Sequence, residues 1–276
     1  MTYVNRDFKN SKGNKLHVHQ WTHPSPSASV LIVHGYTEHA YRYDEFASFL
    51  VENSIEVFAY DQQGHGRSEG LSAYIPQFEN LVADLSEVIQ FLALKNPVFL
   101  IGQSMGGLVV SHFCVKHNVS NIQGAILCAP ALKLDDDLSP ILVKLAPFIA
   151  YFFPKLPTER LKAEHLSRDE NVVDDYLNDP LVYTKGTRAR TGSELIQAIK
   201  AIPELAPQFK TPLLILHGSA DKITDPDGSH HFCQLAGSVD KDFKRLDGLY
   251  HDILHEPEKQ ELYESILTWI RERTTQ

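Results

Sequence analysis

The sequence predicts an α/β fold: a mostly parallel central sheet flanked by helices, with a helical segment inserted before the last strands. Three observations point to it. Strand-like apolar runs alternate with stretches of helical periodicity. The runs starting at Val30, Val98 and Leu213 are almost continuously apolar, as strands buried on both faces are. Residues capable of chemistry follow the ends of four such runs, where open α/β sheets bind their ligands.

The elements follow in order. Residues 15–21 alternate polar and apolar, as a half-buried strand does. Residues 30–33 form a short buried strand that ends at His34 and Gly35. Residues 43–51 have helical spacing through Phe46, Phe49 and Leu50, and 55–60 read as a strand. Residues 78–94 form an amphipathic helix through Leu81, Leu85, Val88, Ile89 and Leu92. A strand at 98–101 runs straight into Gly102 and a helical stretch ending near His117. Strands follow at 125–128, 213–216 and 243–246, and 258–273 form a closing helix.

Composition narrows the class. A chain of 276 residues fits one large α/β domain, and 43% hydrophobic with 22% charged residues is ordinary for a globular protein. The net charge of −9 argues against a general nucleic-acid binder. Cys114, Cys128 and Cys233 are sparse and unpaired in pattern, so free buried thiols are expected, without a disulfide framework or a zinc site. Residues 1–10 are polar and lack the apolar core of a signal peptide, so a cytoplasmic location is the default expectation. Residues 138–156 are apolar but carry Lys144, Lys155 and three prolines, which speaks against a membrane span.

The sharpest motif is Gly-Gln-Ser-Met-Gly-Gly at 102–107, placed between a strand and a helix. A G-x-S-x-G turn in that context exposes its serine at the top of the sheet. The turn is tight, so glycines flank the serine where side chains would collide with backbone. Backbone N–H groups at the following helix start face developing negative charge. Ser104 is therefore the candidate nucleophile.

A serine hydroxyl needs a base, and the base needs an orienting acid. The expected chain order is serine, acid, histidine. Asp221 lies just past the strand at 213–216 and is favoured as the acid; Asp225, ahead of Pro226, reads better as a helix cap. His251 follows the last strand and is favoured as the base; His255 lies at the threshold of the final helix. The other histidines, including His17, His19, His230 and His231, form no convincing metal set. Two backbone donors are needed for the oxyanion. Met105, after the nucleophile, and Tyr36, in the turn after the early strand, are the candidates.

These blocks resemble the monoacylglycerol lipase and lysophospholipase-like branch of the α/β-hydrolases. The resemblance rests on His-Gly-Tyr-Thr-Glu-His at 34–39 with Arg42 and Tyr43, Tyr-Asp-Gln-Gln-Gly-His-Gly-Arg-Ser at 60–68, the turn at 102–107, His-Gly-Ser-Ala-Asp at 217–221, and Tyr250 with His251 ahead of Glu256. It implies the same Ser104, Asp221 and His251. It also implies that Glu38 and Arg42 line a polar pocket for a glycerol head group; the alternative is a surface ion pair. Many members of the branch have His before the nucleophile, whereas this chain has Gln103, which bears on head-group preference.

The branch inserts a cap between two core strands, and residues 131–191 fall there, dividing the core into 1–130 and 192–276. Apolar residues in this stretch, Phe152 and Phe153 among them, recur at helical spacing, with Pro147 expected to kink the helix. The stripe reads either as packing on the core or as a lid that lines an acyl tunnel and touches lipid aggregates. The implied reaction is ester hydrolysis through an acyl-enzyme, without metal or organic cofactor, on a monoacylglycerol. A lysophospholipid or general carboxylic ester is the alternative substrate. A non-catalytic binding module would be expected to have lost part of the triad. The sequence leaves the oligomeric state open.

Overall fold

The computed structural model describes residues 1–117, 121–135 and 138–274. Its sheet contains β1 (Thr2–Lys9), β2 (Lys15–Thr22), β3 (Ala28–Val33), β4 (Ile55–Tyr60), β5 (Val98–Gln103), β6 (Ile122–Cys128), β7 (Leu213–Gly218) and β8 (Lys241–Leu246). The spatial order is β1-β2-β4-β3-β5-β6-β7-β8. β1 and β2 pair antiparallel, as do β2 and β4; every later pairing is parallel. β1 was not expected from the sequence: its side chains are mostly exposed, so no apolar pattern marks it.

The helices are α1 (Asp44–Glu52), α2 (Phe78–Leu92), α3 (Met105–Lys116), α4 (Pro140–Phe152), α5 (Glu170–Asn178), α6 (Ala189–Leu205), α7 (Pro226–Leu235) and α8 (Lys259–Thr274). Alternate strand residues feed two cores. Leu31, Val33, Leu100 and Ile215 pack with α2, α3, α6 and α7 on one face. Val30, Ile32, Ile101 and Leu216 pack with α1 and α8 on the other. Both sets are buried, which is why these strands read as continuous apolar runs. The three cysteines are free thiols.

Between β6 and β7 the described residues add no strand to the sheet and carry α4, α5 and α6. α6 also packs on the core through Ala198 and Ile202. Backbone bonds tie the α5 region down: Tyr183 N–H donates to Thr37 O at 2.9 Å, and Asp252 N–H to Leu166 O at 2.7 Å. α4 is different. It contains Pro147, and of its residues Ala150 alone is buried. Among the described residues no helix is long and apolar enough to cross a membrane.

Candidate active site

The turn from β5 into α3 holds Ser104 at φ 52°, ψ −113°, a conformation that L-residues rarely adopt. Neighbouring backbone enforces it. Ser104 N–H donates to Cys128 O at 2.9 Å, and Ser104 O accepts from Ala131 N–H at 3.1 Å. A Cβ at Gly106 would overlap the carbonyl oxygen of Val33, so the helix can approach β3 only with glycine there. Met105 is the first residue of α3, and the N–H of a first helical residue has no partner within its helix.

The turn after β3 comes up against the same serine. A Cβ built on Gly35 would lie 3.4 Å from Ser104 Cβ. Its peptide groups are pinned on both sides. His34 Nδ1–H donates to Gly35 O at 2.7 Å, and Gly35 N–H donates to Glu38 Oε1 at 2.6 Å. His34 is neutral in this role, because burial and the neighbouring His65 push its pKa down to about 3. Tyr36 is the next residue, and its hydroxyl donates to Ala73 O at 3.0 Å.

Asp221 and His251 meet beyond the ends of β7 and β8. His251 Nδ1 stands 2.7 Å from Asp221 Oδ2, and both side chains are buried. Asp221 is held from several directions. Oδ1 accepts from Ile223 N–H at 2.7 Å and Thr224 N–H at 3.0 Å. Oδ2 also accepts from His217 Nε2 at 3.0 Å and from the Thr224 hydroxyl at 2.9 Å. Burial alone would raise the Asp221 pKa, but the charge of His251 and the bonds from His217 and His251 hold it well below the usual range. Burial opposes protonation of His251, yet the Asp221 charge and hydrogen bond outweigh it and raise that pKa above 6.5.

The competing candidates sit elsewhere. Asp225 caps α7 by accepting from Asp227 N–H at 2.7 Å and pairs with Lys133. His255 bonds Asp252 Oδ1 at 2.8 Å and Arg42 O at 2.9 Å. It belongs to a second buried network. There Glu38 Oε1 accepts from the Tyr43 hydroxyl at 2.7 Å, and Glu38 Oε2 lies 3.2 Å from Arg42 Nε. Arg42 Nη2 lies 3.2 Å from Asp252 Oδ2. The Glu38 and Arg42 pair is thus buried, not on the surface, and both ends are engaged within the protein.

Gly35, Tyr36, Glu38, Gln103, Ser104 and His251 line one small cavity of about 20 Å³, together with Asp252 and three residues of the insertion, Leu161, Leu166 and Tyr176. Arg42 is not in its lining. Gln103 Nε2 donates to His251 O at 3.0 Å, which leaves Oε1, buried and unpartnered, as an acceptor at the cavity wall. Phe152 and Phe153 are 55% and 61% exposed and do not reach this cavity. The sequence reading missed Leu161, Leu166 and Tyr176, which come from irregular or polar stretches with no motif. It also missed His217 and Thr224, although His217 opens a block that it had noted.

Comparison with known proteins identifies the family. Residues 24–258 match the family model described as serine aminopeptidase, S33. The chain is 30% identical over 273 residues to the monoacylglycerol lipase of Mycolicibacterium smegmatis, covering 98% of this chain and 97% of that one. It is 33% identical over 274 residues to the monoglyceride lipase of Rattus norvegicus, covering 96% and 89%. An abhydrolase domain-containing protein of Dictyostelium discoideum is 31% identical over 99% of this chain, which spans 29% of that longer protein. The crystal structure of the Paleococcus ferrophilus monoacylglycerol lipase superposes with a TM-score of 0.82 at 28% identity, covering 98% of each chain. The chain therefore belongs to the serine aminopeptidase S33 family of α/β-hydrolases, and within it is a serine ester hydrolase of the monoacylglycerol lipase-like kind.

Proposed function

We propose that this protein releases fatty acid from monoacylglycerols, with Ser104 as nucleophile, His251 as base and Asp221 as its orienting acid. The observation that carries this reading is the 2.7 Å contact of His251 Nδ1 with Asp221 Oδ2, with His251 and Ser104 lining one cavity. With Nδ1–H committed to Asp221, Nε2 is the free basic nitrogen. It takes the Ser104 proton as Oγ attacks the ester carbonyl. The N–H groups of Met105 and Tyr36 receive the oxyanion. His251 then protonates the departing alkoxide, and water repeats the sequence on the acyl-enzyme.

The cavity volume bounds the rest. About 20 Å³ is a fraction of the 300–1,000 Å³ typical of ligand pockets, so an ester enters only when part of the wall moves. Backbone bonds tether the α5 region and the residues after α4, whereas α4 itself presents Ile141, Leu142, Phe148, Tyr151 and Phe152 to solvent. In this reading α4 is the moving part of a cap spanning 131–191 and meets lipid aggregates with that face. Gln103 Oε1 and Glu38 face the leaving alcohol, and acceptors of this kind suit hydroxyls.

A substrate panel tests the proposal: monoacylglycerols, diacylglycerols, lysophospholipids, short p-nitrophenyl esters and aminoacyl p-nitroanilides. Preferred hydrolysis of monoacylglycerol is the expected result. Release of p-nitroaniline with no ester cleavage would replace it with a peptidase reading.

A further inference from the structure

One hydroxyl reaches the proposed acid, the proposed base and the segment that steadies the proposed nucleophile. Thr224 Oγ1 lies 2.9 Å from Asp221 Oδ2, 3.2 Å from His251 Nδ1, 3.3 Å from His217 Nε2 and 3.1 Å from Ala129 O. The local chain builds this place. Thr224 stands between the Asp221 turn and α7, where the Asp225 cap and Pro226 at the helix start fix the backbone. Thr224 N–H also donates to Asp221 Oδ1 at 3.0 Å, so one residue grips both carboxylate oxygens.

The hydroxyl carries one hydrogen. The carboxylate is charged and nearer than the carbonyl, so it takes the larger share of a three-centre bond, with Ala129 O as the lesser acceptor. The Ala129 side of that bond leads to Ser104. Ala129 has φ 42°, its N–H donates to Leu216 O at 2.8 Å, and two residues on Ala131 N–H donates to Ser104 O at 3.1 Å. On the Asp221 side, Oδ2 is contested. His251 and His217 both donate to it, and a carboxylate turned toward His217 would give up His251. Among the described residues, the Thr224 hydroxyl is the remaining side-chain donor to Asp221.

We propose that Thr224 is a positioning residue for ester hydrolysis: its hydroxyl holds the Asp221 carboxylate in line with His251 and ties it to the segment that supports Ser104. The inference rests on the triad reading above and adds a residue to it. Thr224 does not line the cavity of Ser104. It acts through the orientation of His251, so its loss slows the chemical steps and leaves ester binding in place. Burial disfavours the imidazolium form of His251, while the charges of Asp221, Asp252 and Glu38 favour it. Turning Asp221 away weakens the largest of these favourable interactions and makes His251 easier to deprotonate.

The test compares wild type, Thr224→Val, Thr224→Ser and Ser104→Ala on p-nitrophenyl butyrate, from weakly acid to weakly alkaline pH. Valine keeps the shape and removes the hydroxyl; serine keeps the hydroxyl. Thr224→Val should lose at least about tenfold in kcat with KM within about twofold, as loss of a hydrogen bond to a charged group does, and the steady KM shows a folded site. Its acid-side midpoint in kcat/KM should move below that of the wild type. Thr224→Ser should restore both. An unchanged kcat in Thr224→Val overturns the role. Equal loss in the valine and serine variants assigns the effect to packing of the methyl group and overturns it too. A fall in kcat with a stationary or raised midpoint separates the hydroxyl from the orientation of Asp221 and does the same. A Ser104→Ala variant that hydrolyses the ester near the wild-type rate removes the triad reading, and the role of Thr224 with it. An inert Ser104→Ala beside an unaffected Thr224→Val removes the role of Thr224 alone.

Discussion

Asp221 Oδ2 sits between two imidazoles, 2.7 Å from His251 Nδ1 and 3.0 Å from His217 Nε2. His217 in turn reaches Ser229 Oγ at 2.7 Å, so Nδ1 accepts the hydroxyl proton and Nε2 carries the hydrogen that binds the carboxylate. One histidine faces the cavity of Ser104; the other is wholly buried behind the acid. In the proposed mechanism His217 would act as a positioning residue for Asp221. His217→Phe is expected to lower kcat about tenfold to a hundredfold, the usual worth of a hydrogen bond to a charged group, with little change in KM. Steady-state kinetics on a soluble ester check it, and an unchanged kcat would remove His217 from the mechanism.

If His251 is the base, as proposed, its raised pKa sets the acid side of the pH profile. The imidazole must be neutral to accept the Ser104 proton, so kcat/KM should fall as pH drops through a midpoint above 6.5. Asp221 remains ionised throughout that range because its own pKa is depressed. Asp221→Asn removes the charge that raises His251, so the midpoint should move down while kcat drops by about 10⁴. The stability linkage runs the other way. His251 contributes most to folding stability below 6.5, and that contribution is lost as pH rises through its raised folded value.

Glu38 bears on folding as much as on substrate. Its carboxylate accepts from Gly35 N–H and Tyr43 and pairs with buried Arg42. Glu38→Ala would leave Arg42 with Asp252 alone and release the turn before Tyr36. A loss of about 3–5 kcal/mol in urea unfolding is expected, as for other broken buried pairs. A loss under about 1 kcal/mol would mean that the network is dispensable.

The exposed face of α4 makes a separable claim. Changing Phe148 and Phe152 to Ser should weaken co-sedimentation with lipid vesicles, since each buried Phe contributes about 1.5–3 kcal/mol. Hydrolysis of a monomeric short-chain ester should be unaffected, because neither ring lines the cavity of Ser104. Equal loss of both activities would place these rings in the catalytic pocket.

The parts of the molecule legible in the sequence are those where chemistry leaves a local signature. The run from β5 through Ser104 into α3 shows in apolar periodicity and in glycines that nothing larger can replace. The preference for Asp221 over Asp225 follows from the helix-capping pattern of the latter, and α7 carries that cap. β1 is an exposed edge strand with no pattern to read. The stripe on α4 was visible, but periodicity gives spacing and not direction: it faces solvent. Leu161 and Tyr176 reach the cavity through tertiary packing alone, tens of residues from any motif.

Active-site labelling of wild type and Ser104→Ala with a fluorophosphonate, mapped by mass spectrometry alongside fatty-acid release from monoacylglycerol, tests the central assignment most directly. The expected result is label on Ser104 alone and neither label nor release in the variant. Label on another residue, or a variant that still releases fatty acid at a rate near the wild type, would contradict the roles given to Ser104, His251 and Asp221.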